Sequence, residues 1–465
     1  MAQWRGWRKA LTVLAFIGPT LIGILIFNIY PILFNTYISL TNRNRYHPNP
    51  DCSVELTGIL EPTCWPVFQK HAPKGLGEPF RLQDPVYGNY SDLIGQFFTT
   101  PVLIAIGKLA ACFVPLIVAR QINKAWKRQR ERPAPRAVIL WPTSILGFPI
   151  LLSFALGHQF GWADITFPPW LGILTIGILL FLALNYKKWS DHEFLAQANT
   201  LAAITSGILL VFFLNVREAF AVLSGSGDFL VVNFNTILYV AACIPLFFLV
   251  GLSLALLLNV PDLPGRTFFR VVLIVPWAAS TVAVMMSLVW KFFFQEQGTI
   301  NQLVALLGLE GKAWLQDPTT AFIVIIVANV WYSYPFFMVT TLGALQSIPV
   351  ELYEAAEVDG ASWWQRLRNI TLPLIRPAII PAIVLSSITT FQMFGTVWAI
   401  TGGGPSRGAG APGATDLVMT YAYKQVFQTA AYGRMGAFAV IMFILLFAAT
   451  LYSLRISRIT KGAYE

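Results

Sequence analysis

The sequence predicts an all-α fold, a polytopic membrane bundle of about ten transmembrane helices. Of the 465 residues, 56% are hydrophobic and only 12% are charged, which is about half the charged fraction of a soluble domain. Apolar runs of ~17 to 25 residues recur along the chain, and such runs are long enough to cross ~30 Å of hydrocarbon. Because a backbone inside hydrocarbon must satisfy its own hydrogen bonds, these runs are predicted to be helices.

Ten runs meet this length criterion, although the fourth and fifth barely reach it. They are 11–33, 100–119, 137–157, 170–186, 200–216, 236–258, 271–292, 320–345, 375–400 and 434–454. The first follows a basic stretch, as a signal peptide would, but its apolar part is too long and no small-residue cleavage site follows it. It is therefore predicted to be a retained anchor.

Charge is distributed unevenly between alternate connecting segments. If the N-terminus is placed inside, the inside segments carry 20 of the 32 Lys and Arg residues and 9 of the 22 acidic residues. This is the positive-inside pattern, so both termini are predicted to be cytoplasmic. The formal net charge of +10 is then explained by topology and anionic lipid, and no nucleic-acid partner is predicted.

The loop 41–99, predicted to lie outside, contains Cys52 and Cys64. In an oxidising compartment they could form a disulfide, and two free thiols are the alternative. Cys112 and Cys243 fall within spans and are predicted to be packing residues. The four histidines are scattered without ligand spacing, so no metal site is predicted.

Residues 347–373, called the EAA segment here, form a polar island between two apolar runs. Pro349 suits a first helical turn, and Gly360 suits a left-handed helix cap. Ser362 with Gln365 has the spacing of a capping box that begins a second short helix, and Pro373 should end or bend that helix before the next apolar run. The pattern predicts two short helices, set at an angle, at a membrane surface.

The EAA segment resembles the EAA loop of ABC importer permeases at every fixed position. The matching residues are Glu354-Ala355-Ala356, Gly360, Ile370 and Leu372-Pro373. The resemblance implies a coupling helix that docks on a cytoplasmic ATPase, with the coupling role carried by Glu354, Ala355, Ala356, Asp359, Gly360, Ile370, Leu372 and Pro373. The alternative is an ordinary amphipathic loop at the interface.

From about Asn259 onward the chain resembles the maltose-type sugar permeases, for example in Asp317-Pro318-Thr319-Thr320, Tyr334-Pro335 and Gly403-Gly404-Pro405. The resemblance implies a six-helix core, made of the first span and the last five, in a bacterial or archaeal cytoplasmic membrane. It also implies a second permease subunit, a homodimeric cytoplasmic ATPase that holds ATP and Mg, and an extracytoplasmic sugar-binding protein. The implied substrate is a sugar such as maltose, maltodextrin or trehalose, and no cofactor is expected on this chain itself.

Four regions follow from these observations. Residues 1–40 form the N-terminal tail and first helix, 41–99 an extracytoplasmic loop, 100–225 additional transmembrane helices, and 226–465 the permease core with its EAA segment.

Two spans of the core offer polar and aromatic side chains suited to a sugar path. Asn329, Ser333 and Phe336 share one face of the span 320–345, and Ser386, Thr390 and Met393 recur at i, i+4 and i+7 in the span 375–400. The resemblance places sugar contacts on these two helices. Asn329 and Ser386 match the family in residue type, whereas Ser333, Phe336, Thr389, Thr390 and Met393 match in position only. The alternative for the hydroxyl groups is hydrogen bonding between helices.

The sequence has no phosphate loop of the G-x-x-x-x-G-K-[ST] type, so ATP hydrolysis by that machinery is not predicted and the chain is not expected to be an enzyme. None of the last five spans contains an acidic residue, which disfavours an ion-coupled secondary carrier. A non-transporting membrane scaffold is the third possibility. Lys108 is the clear charge within a span and is expected to snorkel or to face a partner.

Overall fold

The computed structural model of the chain describes residues 7–50, 60–65, 78–128, 192–260, 263–278, 283–408 and 411–461, with isolated positions between them. Within these ranges the regular secondary structure is helical, and β pairing is limited to two isolated bridges, Thr41 with Leu82 and Pro50 with Phe80. The prediction of an all-α fold is confirmed. The chain divides into two units, residues 1–93 with 231–465, and residues 94–230.

The first unit contains most of the helices. In chain order they are α1 Trp7–Ile24, a π-turn Leu25–Ile29, α2 Tyr30–Ser39, a 3₁₀ turn Pro62–Cys64, α3 Gly88–Gly95 (whose last two residues group with the second unit), α7 Asp228–Leu258 (whose first three residues group with the second unit), α8 Arg266–Ala278, α9 Ala283–Phe293, α10 Thr299–Leu306, α11 Pro318–Gln346, α12 Glu351–Val358, α13 Trp363–Arg366, a π-turn Leu367–Thr371, α14 Leu372–Phe391, α15 Gly395–Ile400, α16 Val418–Phe427 and α17 Tyr432–Lys461. The second unit contains a 3₁₀ turn Gln96–Phe98, α4 Thr100–Arg128, α5 His192–Phe213 and α6 Val216–Leu223.

Six of the described helical stretches are long and apolar enough to cross a membrane. They are Thr12–Ser39, Thr100–Lys124, Asp228–Leu258, Pro318–Gln346, Trp363–Phe391 and Tyr432–Tyr452. A seventh is obtained if Ala196–Phe212 and Val216–Leu223, which are bent by 62°, count as one span. The predicted spans 137–157 and, apart from isolated positions, 170–186 lie outside the described residues.

Three predicted spans differ from the observed helices. The run 200–216 belongs to α5, which begins earlier, at His192, and ends before Asn215, whose φ of 48° is left-handed and whose side chain caps α6. The run 375–400 divides, because α14 ends at Phe391 and α15 begins only at Gly395, a weak helix former. The run 271–292 falls on α8 and α9, with 279–282 outside the described residues.

Close backbone packing joins α7 to α11 in the first unit. A Cβ built on Gly251 would lie 2.6 Å from the Phe337 Cβ, so only glycine allows this approach. The buried cluster at this contact includes Tyr239, Cys243 and Phe247 of α7. These two helices therefore form the centre of the unit.

The C-terminal end of α7 is capped by two arginines. Arg266 Nε donates to the Leu258 carbonyl at 2.7 Å, and Arg270 Nη2 donates to the same oxygen at 3.4 Å. Cationic side chains at this end also complement the helix dipole.

Within the second unit, asparagine side chains link α4 to α5. Asn199 Nδ2 donates to Asn123 Oδ1 at 3.0 Å, and Asn123 Nδ2 donates to the Ala196 carbonyl at 3.1 Å. Lys108 of α4 forms an ion pair with Glu218 of α6 at 3.3 Å. The expectation that Lys108 faces a partner is thus confirmed, and the partner is Glu218.

All four cysteines can be placed. Cys52 and Cys64 form a disulfide with a Cα–Cα distance of 5.3 Å, which resolves the alternative left open by the sequence. Cys112 and Cys243 are buried thiols, as predicted.

The loop 401–417 between α15 and α16 is organised around a buried carboxylate. Asp416 is 1% exposed, and its Oδ2 accepts from Lys424 Nζ at 2.9 Å and from the Gly413 N–H at 2.7 Å. Asn235 of α7 donates to the carbonyls of Ala414 and Asp416 at 3.3 and 3.2 Å. Burial raises the pKa of the Asp416 carboxyl, and the Lys424 ammonium and the Gly413 N–H oppose that rise.

We expect Lys424→Ala to lower the free energy of unfolding by up to about 3–5 kcal/mol at neutral pH, because it removes the hydrogen-bonded ammonium from a buried carboxylate and leaves Arg407 as its cationic neighbour. Without the ammonium the folded-state pKa rises further above the unfolded value. The deficit should therefore shrink as the pH falls and the carboxyl becomes neutral. Thermal unfolding in nanodiscs across a pH series measures this. The double variant Asp416→Asn/Lys424→Met is the control and should recover most of the loss; equal deficits at all pH values would contradict the assignment.

Candidate functional site

The first short helix of the EAA segment, α12, ends in a glycine cap. Gly360 has a φ of +73° and its N–H donates to the Glu357 carbonyl at 3.0 Å, while the Ala361 N–H donates to the Ala356 carbonyl at 2.8 Å. This pair of bonds is the Schellman arrangement, which favours glycine because a Cβ is strained at positive φ. The predicted cap at Gly360 is confirmed.

The second short helix, α13, begins with the predicted capping box. Ser362 Oγ accepts from the Gln365 N–H at 3.3 Å, and Gln365 Oε1 accepts from the Ser362 N–H at 2.7 Å. Local spacing was sufficient for this prediction because all the bonding groups lie within four residues.

The expected role of Pro349 is wrong, and the structure excludes one of the two effects expected of Pro373. Helix α12 begins at Glu351 with Val350 as its N-cap, so Pro349 precedes the helix and does not lie in its first turn. Pro373 was expected to end or to bend the second short helix, and it does not end it, because it lies in the first turn of α14 and helical structure is continuous from Trp363 to Phe391. The missing N–H of Pro373 is accommodated by the π-turn before it, where the Leu372 N–H reaches the Leu367 carbonyl.

An internal hydrogen bond holds the two helices of the EAA segment together, and Tyr353 packs the segment on the bundle. Tyr353 Oη and Thr371 Oγ1 are hydrogen-bonded at 3.0 Å, and Tyr353 packs on the buried cluster that contains Leu345 and Ile348. Arg366 and Glu357 form an exposed ion pair at 3.0 Å across the Gly360 turn. Exposed ion pairs of this kind contribute little to the stability of the fold. The contact between Tyr353 and Thr371 was not predicted, because the two residues are 18 positions apart in the sequence and no local pattern indicates such a contact.

The side of the EAA segment that points away from the bundle is exposed. Helix α12 has no buried residue. Val358 is 89% exposed, and Trp363 and Trp364 are 60% and 61% exposed. Such large exposed apolar side chains are typical of a surface that is covered by another molecule.

The predicted coupling residues are distributed between these two sides. Glu354, Ala355, Asp359, Gly360 and Pro373 are exposed, whereas Ala356, Ile370 and Leu372 are half-buried.

On α11, the three predicted sugar contacts lie along one side of the helix. Asn329 is fully buried, accepts from Ser333 Oγ at 3.2 Å and donates to Cys243 Sγ at 3.7 Å. Phe336 is half-buried, and its ring centroid lies 6.2 Å from that of Trp277 in α8. The amide of Asn329 therefore already has partners within the protein, which a buried polar group requires.

On α14, the structure separates the predicted contacts. Ser386 and Thr390 are buried, and Met393 is half-buried beyond the end of the helix. Thr389 lies on the exposed side, with its hydroxyl donating to the Ser386 carbonyl at 3.1 Å. The buried face of α14 thus includes Ser386 and Thr390 but not Thr389, while α11 and α14 pack against each other.

Comparison with known proteins identifies relatives of the C-terminal half. A family profile described as "Binding-protein-dependent transport system inner membrane component" matches residues 247–458. The chain is 33% identical over 250 residues to a trehalose/maltose transport system permease protein, MalF, of Thermococcus litoralis, covering 54% of this chain and 81% of that protein.

Two further similarities are of lower coverage or identity. A sulfoquinovosyl glycerol transport system permease protein of Agrobacterium fabrum is 35% identical over 226 residues, 49% of this chain and 71% of that protein. Among solved structures, a bacterial ABC transporter involved in the import of the acidic polysaccharide alginate aligns with a TM-score of 0.42 and 24% identity, covering 51% of this chain and 82% of that one.

We expect Gly360→Val to open the EAA segment locally, because a β-branched residue at positive φ costs roughly 1–2 kcal/mol. A change of that size raises the open population about 5- to 30-fold. Limited trypsin digestion, followed at Arg366 and Arg368 by mass spectrometry, should accelerate accordingly. Gly360→Asn is the matched control, since asparagine tolerates the left-handed region, and it should cleave at nearly the wild-type rate. Equal rates for the two variants would show that the backbone conformation is not what holds the segment.

Proposed function

Because the chain belongs to the family of binding-protein-dependent transport system inner membrane components, and there to the MalF-like carbohydrate permeases, we propose that it forms half of the path for a glucoside. Maltose, maltodextrin and trehalose are the substrates that its relatives' names favour. The chain is the permease subunit of an ABC importer, and a second permease subunit supplies the other half of the path.

The observation that carries this proposal is the continuous helix from Trp363 to Phe391. It begins in the EAA segment, where Trp363 and Trp364 are exposed, and it contains Ser386 and Thr390 on its buried face. A force applied at the EAA segment would therefore be transmitted directly to the span that we expect to line the sugar path.

The energy comes from a separate homodimeric ATPase, which binds ATP and Mg. In this mechanism ATP binding closes the dimer, and α12 with the Gly360 turn moves with it as a rigid body. The core spans rotate and open the path toward an extracytoplasmic sugar-binding protein, and hydrolysis restores the inward-facing state. The hydrogen bond between Tyr353 and Thr371 keeps α12 fixed to the moving helix.

This mechanism also sets the orientation. The EAA segment must face the cytoplasm to meet the ATPase, so the N-terminal end of α11 and the loop 401–417 face outward. Both termini are then cytoplasmic, in agreement with the distribution of basic residues.

Reconstitution tests the function as a whole. The chain, its second permease and the ATPase are placed in vesicles, and the binding protein is added outside. ATP-dependent uptake is then measured for maltose, trehalose, lactose and sucrose. We expect uptake of at least one of them, with ATP hydrolysis stimulated by the loaded binding protein. Uptake that continues without ATP would favour an ion-coupled carrier, and the absence of both uptake and a co-purifying ATPase would favour a scaffold.

Two variants test the coupling role of the EAA segment. Gly360→Pro cannot adopt a φ of +73°, and Glu354→Lys reverses an exposed charge on α12. Both should abolish the stimulation of ATP hydrolysis while the protein still inserts and assembles. Glu310→Lys, with the same charge change at an exposed position outside the EAA segment, is the control and should retain stimulation. Normal stimulation in Glu354→Lys would remove this residue from the coupling surface.

Substitutions on the buried face of α14 test the sugar path. Loss of one hydrogen bond to a buried hydroxyl costs about 1–3 kcal/mol, so Ser386→Ala should raise the KM for uptake about 5- to 150-fold. Ser387→Ala is the matched control, because that hydroxyl donates to the Ile383 carbonyl at 2.7 Å, within its own helix. An unchanged KM in Ser386→Ala with unchanged assembly would exclude this residue as a contact.

A further inference from the structure

A cavity of about 340 Å³ lies between the end of α9 and the beginning of α11, within the first unit. It is lined by residues 294–297 and 313–316, and we call it the outer cavity. The EAA segment follows the other end of α11, a helix of 29 residues and so roughly 40 Å long. If the EAA segment faces the cytoplasm, the outer cavity opens on the outside. Its volume is at the small end of the range for small-molecule sites.

A single buried asparagine holds the two lining segments together. Asn301 is 8% exposed. Its Nδ2 donates to the carbonyls of Glu296 and Lys312, both at 2.9 Å, and its Oδ1 accepts from the Lys312 N–H at 3.0 Å and from Trp314 Nε1 at 2.8 Å. The Trp314 carbonyl in turn accepts from Thr320 Oγ1 at 2.6 Å. The indole is thus oriented before any ligand arrives, which reduces the entropic cost of binding.

The lining combines aromatic rings with exposed polar groups. Phe294 and Trp314 meet edge to face with their centroids 5.7 Å apart, and Gln295, Glu296, Gln297 and Gln316 are exposed around them. Gln316 Nε2 donates to Glu296 Oε1 at 2.7 Å, which fixes the direction of the carboxylate. A sugar ring presents C–H faces that pack on aromatic rings and hydroxyls that hydrogen-bond to amides, and it hydrogen-bonds more strongly to a carboxylate.

Aromatic contacts continue from the outer cavity into the bundle. Phe294 stacks on Trp290 at 6.1 Å, and Trp290 meets Trp331 at 5.8 Å. Trp331 is two residues from Asn329, the predicted sugar contact of α11. The outer cavity is therefore linked by ring contacts to the span that we expect to line the path.

We propose that the outer cavity is a carbohydrate subsite that holds one hexose unit of the incoming sugar, with Trp314 under the ring and Glu296 and Gln316 on its hydroxyls. The proposal rests on the function proposed above and adds a second sugar-binding site, separate from Ser386 and Thr390. Asn301 is a positioning residue, because it acts through Trp314 and the backbone of Glu296.

The test measures sugar binding without transport. The complete permease–ATPase complex in nanodiscs, without ATP and without the binding protein, is titrated with maltose, trehalose, lactose and sucrose by saturation-transfer NMR. We expect binding of the sugar that the vesicles take up. Glu296→Gln should raise the Kd for that sugar about tenfold or more, since hydrogen bonds to charged groups are stronger than those to neutral groups. Trp314→Ala should abolish binding, and its thermal unfolding shows whether the fold survives.

Two controls separate binding in the outer cavity from binding elsewhere in the complex. Glu310→Gln removes an exposed carboxylate that does not line the cavity and should leave the Kd unchanged. Ser386→Ala should impair uptake but keep binding at the outer cavity.

Equal affinities in wild type and Glu296→Gln would overturn the subsite, as would the absence of binding in a complex that transports. A Glu296→Gln variant that loses uptake but not sugar binding would overturn it too, and would indicate contact with the binding protein. Failure of uptake for these four sugars and for maltodextrin refutes the proposed function, whereas the effect of Glu296→Gln on sugar binding decides the subsite independently.

Discussion

The proposed mechanism depends on one backbone constraint, the continuity of the helix from Trp363 to Phe391. A proline without an N–H normally interrupts a helix or kinks it. Here the π-turn Leu367–Thr371 widens the turn just before Pro373, and the helix continues into the span. Ser386 follows Trp363 by 23 residues, roughly 35 Å along a helix. The surface expected to meet the ATPase and the face expected to meet the sugar therefore lie on one rod.

Buried asparagines fix how the elements around this rod meet one another. Asn329 joins α11 to Cys243 of α7, Asn235 joins α7 to the loop 401–417, and Asn301 joins the two sides of the outer cavity. A buried amide without partners costs several kcal/mol in an apolar environment. Sliding one helix against another would break these bonds, so they define the relative position of the elements more strictly than apolar contacts alone.

The sequence was informative wherever the bonding groups are close together in the chain. The cap at Gly360 and the box of Ser362 with Gln365 depend on neighbours within a few residues, and both were predicted correctly. The resemblance placed Thr389 among the sugar contacts, but a matching position does not indicate which side of a helix its neighbours cover, and Thr389 lies on the exposed side of α14. That the helix continues through Pro373 could not be read from the sequence, because the π-turn that accommodates it has no simple sequence signature. The contacts of Lys108 with Glu218 and of Tyr353 with Thr371 join distant residues and could not be read from a local pattern.

The two ends of this rod differ in a way that bears on how motion would be transmitted. At the EAA end the helix is continuous and the Tyr353–Thr371 hydrogen bond joins α12 to it, so α12 and this helix are expected to move together. At the other end α14 stops at Phe391, and residues 392–394 separate it from α15. The loop 401–417 lies beyond this break. Asp416 within it accepts hydrogen bonds from the Gly413 N–H and from Lys424, and Asn235 of α7 donates to its Ala414 carbonyl. A displacement of α14 relative to α7 must therefore be absorbed at 392–394, since hinges are a few residues at the ends of elements. A rotation that begins at the EAA end would need a rigid helix there and a hinge at the opposite end of α14, and the structure has both features.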